Sequence, residues 1–150
     1  MNKINFNPEL WGSHGWTFLQ HIALSYPNSP NKEIKQTYKD FFYSIKNILP
    51  CESCALNYTE HIKKIPIDNY LKNRDTLFSW IIKMHNEVNK LQNKKLINEN
   101  KLKQYYMNQN RPSFYINPKI KMIAVISCSI LILYLIKKIL KIKIKISYKK

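Results

Sequence analysis

The sequence predicts an all-α fold: a four-helix bundle with a short fifth helix, followed by a C-terminal apolar membrane segment. Three observations carry this reading. Only two glycines, Gly12 and Gly15, occur in 150 residues. No sustained two-residue alternation appears before residue 139. Apolar residues recur instead at intervals of three and four, in stretches separated by prolines.

The first helix begins near Pro8, with Asn7 as its cap and proline in the first turn. Leu10, Trp11, Phe18, Leu19, Ile22 and Tyr26 form its apolar set, and Pro27 stops it. A second helix is expected to start at Pro30 behind a Ser29 cap, with Ile34, Tyr38, Phe41, Phe42, Ile45 and Leu49 on one stripe. Pro50 ends it, and Cys51 opens a third helix reaching about Lys64. After a loop containing Pro66, the stretch DTLFSWIIKMHNEVNKL reads as a fourth helix capped by Asp75. Its inner face carries Leu77, Phe78, Ile81, Met84, Val88 and Leu91. The fifth is a short helix around ENKLKQYYMN. Four such helices on short connections make a bundle.

These boundaries set residues 1–110 as one domain, 111–121 as a linker, 122–136 as a membrane segment and 137–150 as a lysine-rich tail. The run MIAVISCSILILYLI is uncharged over fifteen residues, with Lys121 and Lys137 placed to snorkel at its ends. The tail stretch KIKIKIS alternates and could lie along an anionic lipid surface.

Charge is divided in the same way. Residues 1–110 hold fifteen Lys/Arg against nine Asp/Glu, whereas residues 111–150 hold ten Lys/Arg and no acid. A basic excess confined to the tail is not a nucleic-acid footprint, so no nucleic-acid partner is expected. The cysteines are also informative by their scarcity. Three cysteines are too few for a secreted disulfide scaffold, and the opening MNKINFNPELWGSH lacks an apolar signal region. The domain is therefore expected in the cytosol, where a redox-active pair is favoured over a structural bridge.

Cys51 and Cys54 lie one turn apart in PCESC, directly behind Pro50. A lone C-x-x-C is compatible with a metal, a brace or electron exchange. At a helix start, free N–H groups and the helix dipole favour the thiolate. A bridge over one turn restrains little. The alternative is a membrane-tethered zinc-binding adaptor using Cys51, Cys54, His61 and His85, although that spacing fits no compact finger pattern. No metal is expected. Two further features draw notice. His85 with Asn89, and Asn86 with Lys90, give an otherwise apolar helix one polar face. Trp11, Trp16, Phe18 and Tyr26 share the first helix, as core residues or as walls for a flat aromatic group.

Taken in order, WGSHGW…L…A…YP, then CESC, then W…HNEVNK resembles the Erv/Alr family of FAD-linked sulfhydryl oxidases, over residues 8–108. The small size and missing extra cysteines look most like versions carried by large cytoplasmic DNA viruses. The resemblance implies a homodimeric helical bundle holding FAD noncovalently. It implies that Cys51 exchanges with an incoming dithiol while Cys54 passes electrons to FAD and then O2, giving H2O2. Trp11, Gly12, Trp16, Gln20, Tyr26, His85, Asn86, Asn89, Lys90, Lys94 and Tyr105 or Tyr106 are the implied FAD contacts. The family commonly has His where this chain has Gln20, and many members bridge cysteines at the positions of Ile82 and Glu99. With no second dithiol motif in the chain, the expected electron donor is a partner's dithiol, such as a small thioredoxin-like viral protein. The expected location is a membrane of the virion or assembly site in the host cytoplasm, with the catalytic domain cytosolic.

Overall fold

A computed structural model describes residues 3–110 and 118–147. The predicted linker falls mostly outside them, as do the last three residues of the tail. The described residues form α1 (Pro8–Ser25), α2 (Lys32–Ile48), α3 (Glu52–Lys64), a 3-10 turn (Ile67–Tyr70), α4 (Arg74–Leu91), α5 (Glu99–Gln109) and α6 (Pro118–Ser147). No strand occurs among the described residues, and the all-α expectation holds.

The cap predicted for α1 is found: the Asn7 side chain accepts the Glu9 N–H. Two other caps differ. Helix α2 is capped by Asn31, which accepts the Ile34 N–H, not by Ser29. Helix α4 starts one residue before Asp75. Its cap is Asn73, in a reciprocal box with Thr76 that satisfies both N–H groups at once. In each case an asparagine nearby reaches a helix N–H that the predicted residue does not.

The chain divides into two compact units, Met1–Gln109 and Asn110–Lys150. In the first, α4 is the central element: Leu77, Phe78, Trp80, Ile81, Ile82 and Met84 are all buried. Ile82, where many family members are expected to carry a cysteine, is core. Trp80 stands edge-on to Phe42 of α2 and donates its indole N–H to Ile65 O at the end of α3, 2.8 Å. Tyr58 of α3 donates to Phe42 O. These bonds fix α3, which carries the cysteine pair, against α2 and α4.

Helix α1 packs only part of its predicted apolar set inward: Tyr26 is buried and Leu19 and Ile22 lie against the core. Gln20 and Ala23 are also buried, whereas Leu10 and Phe18 are 74% and 61% exposed. Leu91 of α4 is likewise exposed. In the second unit, Met122–Ile139 is a window of 18 residues with mean hydropathy 2.1 and no burial. Among the described residues it is the one stretch long and apolar enough to cross a membrane. The KIKIKIS stretch is helical as part of α6.

Candidate active site

The site begins at the elbow between α2 and α3. Pro50 lacks an N–H and follows the α2 C-cap, Leu49. Cys51 is then free to act as the N-cap of α3: its Sγ accepts the Cys54 N–H at 3.2 Å. Cys51 and Cys54 form a disulfide, with their Cα atoms 5.2 Å apart. Their surroundings differ. Cys51 is 3% exposed, and Cys54 is half-buried.

A second cluster joins α1, α4 and α5. The rings of Trp16 and His85 lie parallel, with centroids 4.2 Å apart and 6° between planes. Gln20 Nε2 donates to His85 Nδ1 at 3.0 Å, and Tyr106 Oη donates to Gln20 Oε1 at 2.7 Å. This chain makes His85 Nδ1 an acceptor and leaves the proton of the neutral ring on Nε2. Burial first, and the positive charge of Lys94 second, push the His85 imidazole down to about 4.

The structure gives each predicted residue a position. Trp11 and Gly12 lie on α1 before Trp16. Among the described residues, Trp11 Nε1 is buried with no acceptor, and a Cβ added at Gly12 meets no atom within 4 Å. Asn86 exchanges two hydrogen bonds with the backbone of Ile97, and Asn89 Nδ2 donates to Lys95 O. Both therefore staple the α4–α5 connection. That connection opens with Asn93 at φ 52°, where Asn93 N–H and Lys94 N–H return to Lys90 O and Asn89 O. This is a Schellman closure, and it sets Lys94 beside the site. Lys90 pairs with Glu87 at 2.6 Å.

Tyr26 is fully buried and donates to Leu71 O, a core role away from the cluster. Tyr105 is exposed; its neighbour Tyr106 reaches Gln20. The resemblance left Tyr105 and Tyr106 open as alternatives, and Tyr106 is the one that joins the cluster. His61 is buried on α3, and burial lowers its pKa. Among the described residues, no three His, Cys, Asp or Glu side chains gather as metal ligands, so the zinc alternative has no ligand set.

The half-buried neutral imidazole of His85 has a consequence for stability. Below the unfolded pKa of about 6.5, the unfolded chain takes up a proton that folded His85 resists. Stability is full above that pH and falls as pH drops toward 4, by up to about 1.4 kcal/mol per unit. His61 acts in the same direction. Glu87, which Lys64 and Lys90 hold at about 2, loses its contribution only below its ordinary value of 4.5. Urea midpoints measured from pH 7.5 to 4.5 should fall steadily, and His85→Gln should flatten the slope.

The profile of the Erv1/Alr family matches residues 13–107. The protein named "Probable FAD-linked sulfhydryl oxidase" of Acanthamoeba polyphaga mimivirus is 44% identical over 92 residues, 61% of this chain and 64% of that one. The mitochondrial FAD-linked sulfhydryl oxidase ERV1 of Saccharomyces cerevisiae is 33% identical over 82 residues, 55% of this chain and 42% of that one. The chain thus spans less than two thirds of the length of these relatives. The crystal structure of the FAD-binding domain of Erv1 from S. cerevisiae superposes with a TM-score of 0.60 at 30% identity, covering 64% of this chain and 90% of that one. With the helical bundle, the cysteine pair at the start of α3 and a match over most of the first unit, the chain belongs to the Erv1/Alr family.

Proposed function

We propose that the chain is a FAD-dependent sulfhydryl oxidase that forms disulfides in partner proteins. The observation that carries this is the Cys51–Cys54 disulfide at the N-terminus of α3, in a bundle whose α1 and α4 supply a flat Trp16–His85 stack. Residues suited to FAD are present. Among the described residues the buried Trp11 indole N–H has no acceptor, the helix surface at Gly12 is open, and Lys94 adds positive charge for a diphosphate. Trp11, Gly12, Trp16, Gln20, His85, Lys90, Lys94 and Tyr106 would hold the cofactor. Asn86 and Asn89 would position the connection bearing Lys94. Tyr106 replaces Tyr105 in this set, and Tyr26 is left to the core.

Bound FAD would accept two electrons and deliver them to O2 as H2O2. The chain's own residues do the thiol chemistry. A substrate thiolate attacks Cys51 Sγ, the Cys51–Cys54 bond breaks, and Cys54 leaves as a thiolate. The second substrate thiol loses its proton and attacks the mixed disulfide; Cys51 leaves. Its position at the helix N-cap, with an N–H on sulfur, favours that departure. In an oxygen electrode, the full chain with dithiothreitol should consume O2 and yield one H2O2 per dithiol oxidised. A flavin-loaded protein with no uptake would refute the reading.

Exposed Leu10 and Phe18 on α1 support a homodimer. The apolar window in α6 supports attachment to a membrane, which we place at a virus assembly site or virion in the host cytoplasm, with the thiol oxidase unit cytosolic. The substrate is a protein dithiol, such as that of a thioredoxin-like viral partner. If α6 anchors the chain, membranes should retain it in high salt and release it to detergent. Release by salt alone would mean that the lysines bind an anionic surface without insertion.

A further inference from the structure

We propose that residues 3–6 form a strap gating Cys51, with Asn5 as the positioning residue that holds it closed. The inference rests on the reading of Cys51 as the attacked sulfur. Three hydrogen bonds tie the segment across the α2–α3 elbow. Lys3 Nζ donates to Asn47 O at 3.1 Å, and Phe6 N–H donates to Pro50 O at 2.7 Å. The Asn5 side-chain oxygen accepts the Glu52 N–H at 3.0 Å. Pro50 and Glu52 are the residues on either side of Cys51. The sulfur between them is buried, although it stands at a helix N-terminus and its partner one turn on is more open.

Burial of Cys51 conflicts with its role unless something moves. A thiolate forms a bond to Cys51 Sγ only as the Cys54 sulfur leaves, so it needs access to Cys51 from the side away from Cys54. The strap is suited to yielding. Ile4, Asn5 and Phe6 are all exposed, so hydrogen bonds hold the segment more than core burial does. Segments of that kind open at low cost. When the strap lifts, the Glu52 N–H and the Pro50 carbonyl become available together. An extended segment of a protein substrate has a backbone acceptor and donor spaced to take up both, whereas a small dithiol offers no extended backbone. The strap thus favours dithiols carried on extended polypeptide.

The test reads access to each sulfur separately. Full-length protein is reduced without oxygen and pulsed with iodoacetamide, and peptide mass spectrometry resolves Cys51 from Cys54. Asn5→Ala should raise the Cys51 rate about fivefold, the factor expected for one cap bond, and leave Cys54 unchanged. A chain lacking residues 2–6 should raise it further. Asn5→Asp keeps an acceptor for the Glu52 N–H and should behave like the parent. An unchanged Cys51 rate in both Asn5→Ala and the shortened chain would overturn the proposal. So would an equal rise at both cysteines, which would place the effect in α3 itself. Alkylation requires neither flavin nor turnover, so a chain that failed to bind FAD would still report on the strap.

Discussion

Cys54→Ser should lower thiol oxidation by on the order of 10³-fold or more, with the protein still folded and still binding FAD. The disulfide spans a single turn of α3 and its loss removes little restraint on the unfolded chain, so the fold survives. What is lost is the leaving sulfur: without it, attack on Cys51 has no bond to break. Cys51→Ser should be equally inactive for a different reason, because the sulfur that the substrate attacks is gone and Cys54 is left with no disulfide partner. The two inactive variants are distinguished by colour. Cys51→Ser leaves a free Cys54 thiolate, and if Cys54 adjoins the flavin, a long-wavelength absorption band should appear in that variant alone. The band in Cys54→Ser instead would reverse the two roles.

Trp80→Ala should cost roughly 3–5 kcal/mol, a large share of the stability of a domain this size. Trp80 is fully buried, and its ring fills the space against Phe42. The substitution also leaves Ile65 O, the carbonyl at the end of α3, without its donor. Trp80→Phe separates the two effects. It keeps most of the apolar volume and loses only the hydrogen bond, for about 1–3 kcal/mol. Because Trp80 locks α3 to α4, even this milder variant should loosen the cysteine pair relative to His85. Urea midpoints for the two variants give the stability order directly.

Helix number, the helical fifth segment and the cysteine pair at a helix start were legible because each has a local cause: proline punctuation, apolar spacing and a cap. The inward face of α1 was legible only in part: Leu19, Ile22 and Tyr26 pack inward as their spacing suggests. Leu10 and Phe18 are as apolar as any core residue, yet they face out, while the buried positions include polar Gln20. Gln20 is tolerated there because Tyr106 and His85, 86 and 65 residues away, satisfy its amide. Periodicity registers no bond of that range. Asn86 and Asn89 show the same limit. Their spacing marks a polar face, but only the fold shows that face spent on the backbone of the next connection. Residues 3–6 carry no sequence signal at all; their importance comes from lying beside Cys51.

In the proposed oxidase, this bundle joins the Cys51–Cys54 pair electronically to a bound flavin. The most direct measurement is the visible spectrum of the purified full chain, recorded without oxygen before and after dithiothreitol, and again after air is admitted. The protein should be yellow, lose its colour with the dithiol and recover it in air. A folded, colourless chain would contradict the proposal, as would a yellow one whose spectrum the dithiol leaves unchanged.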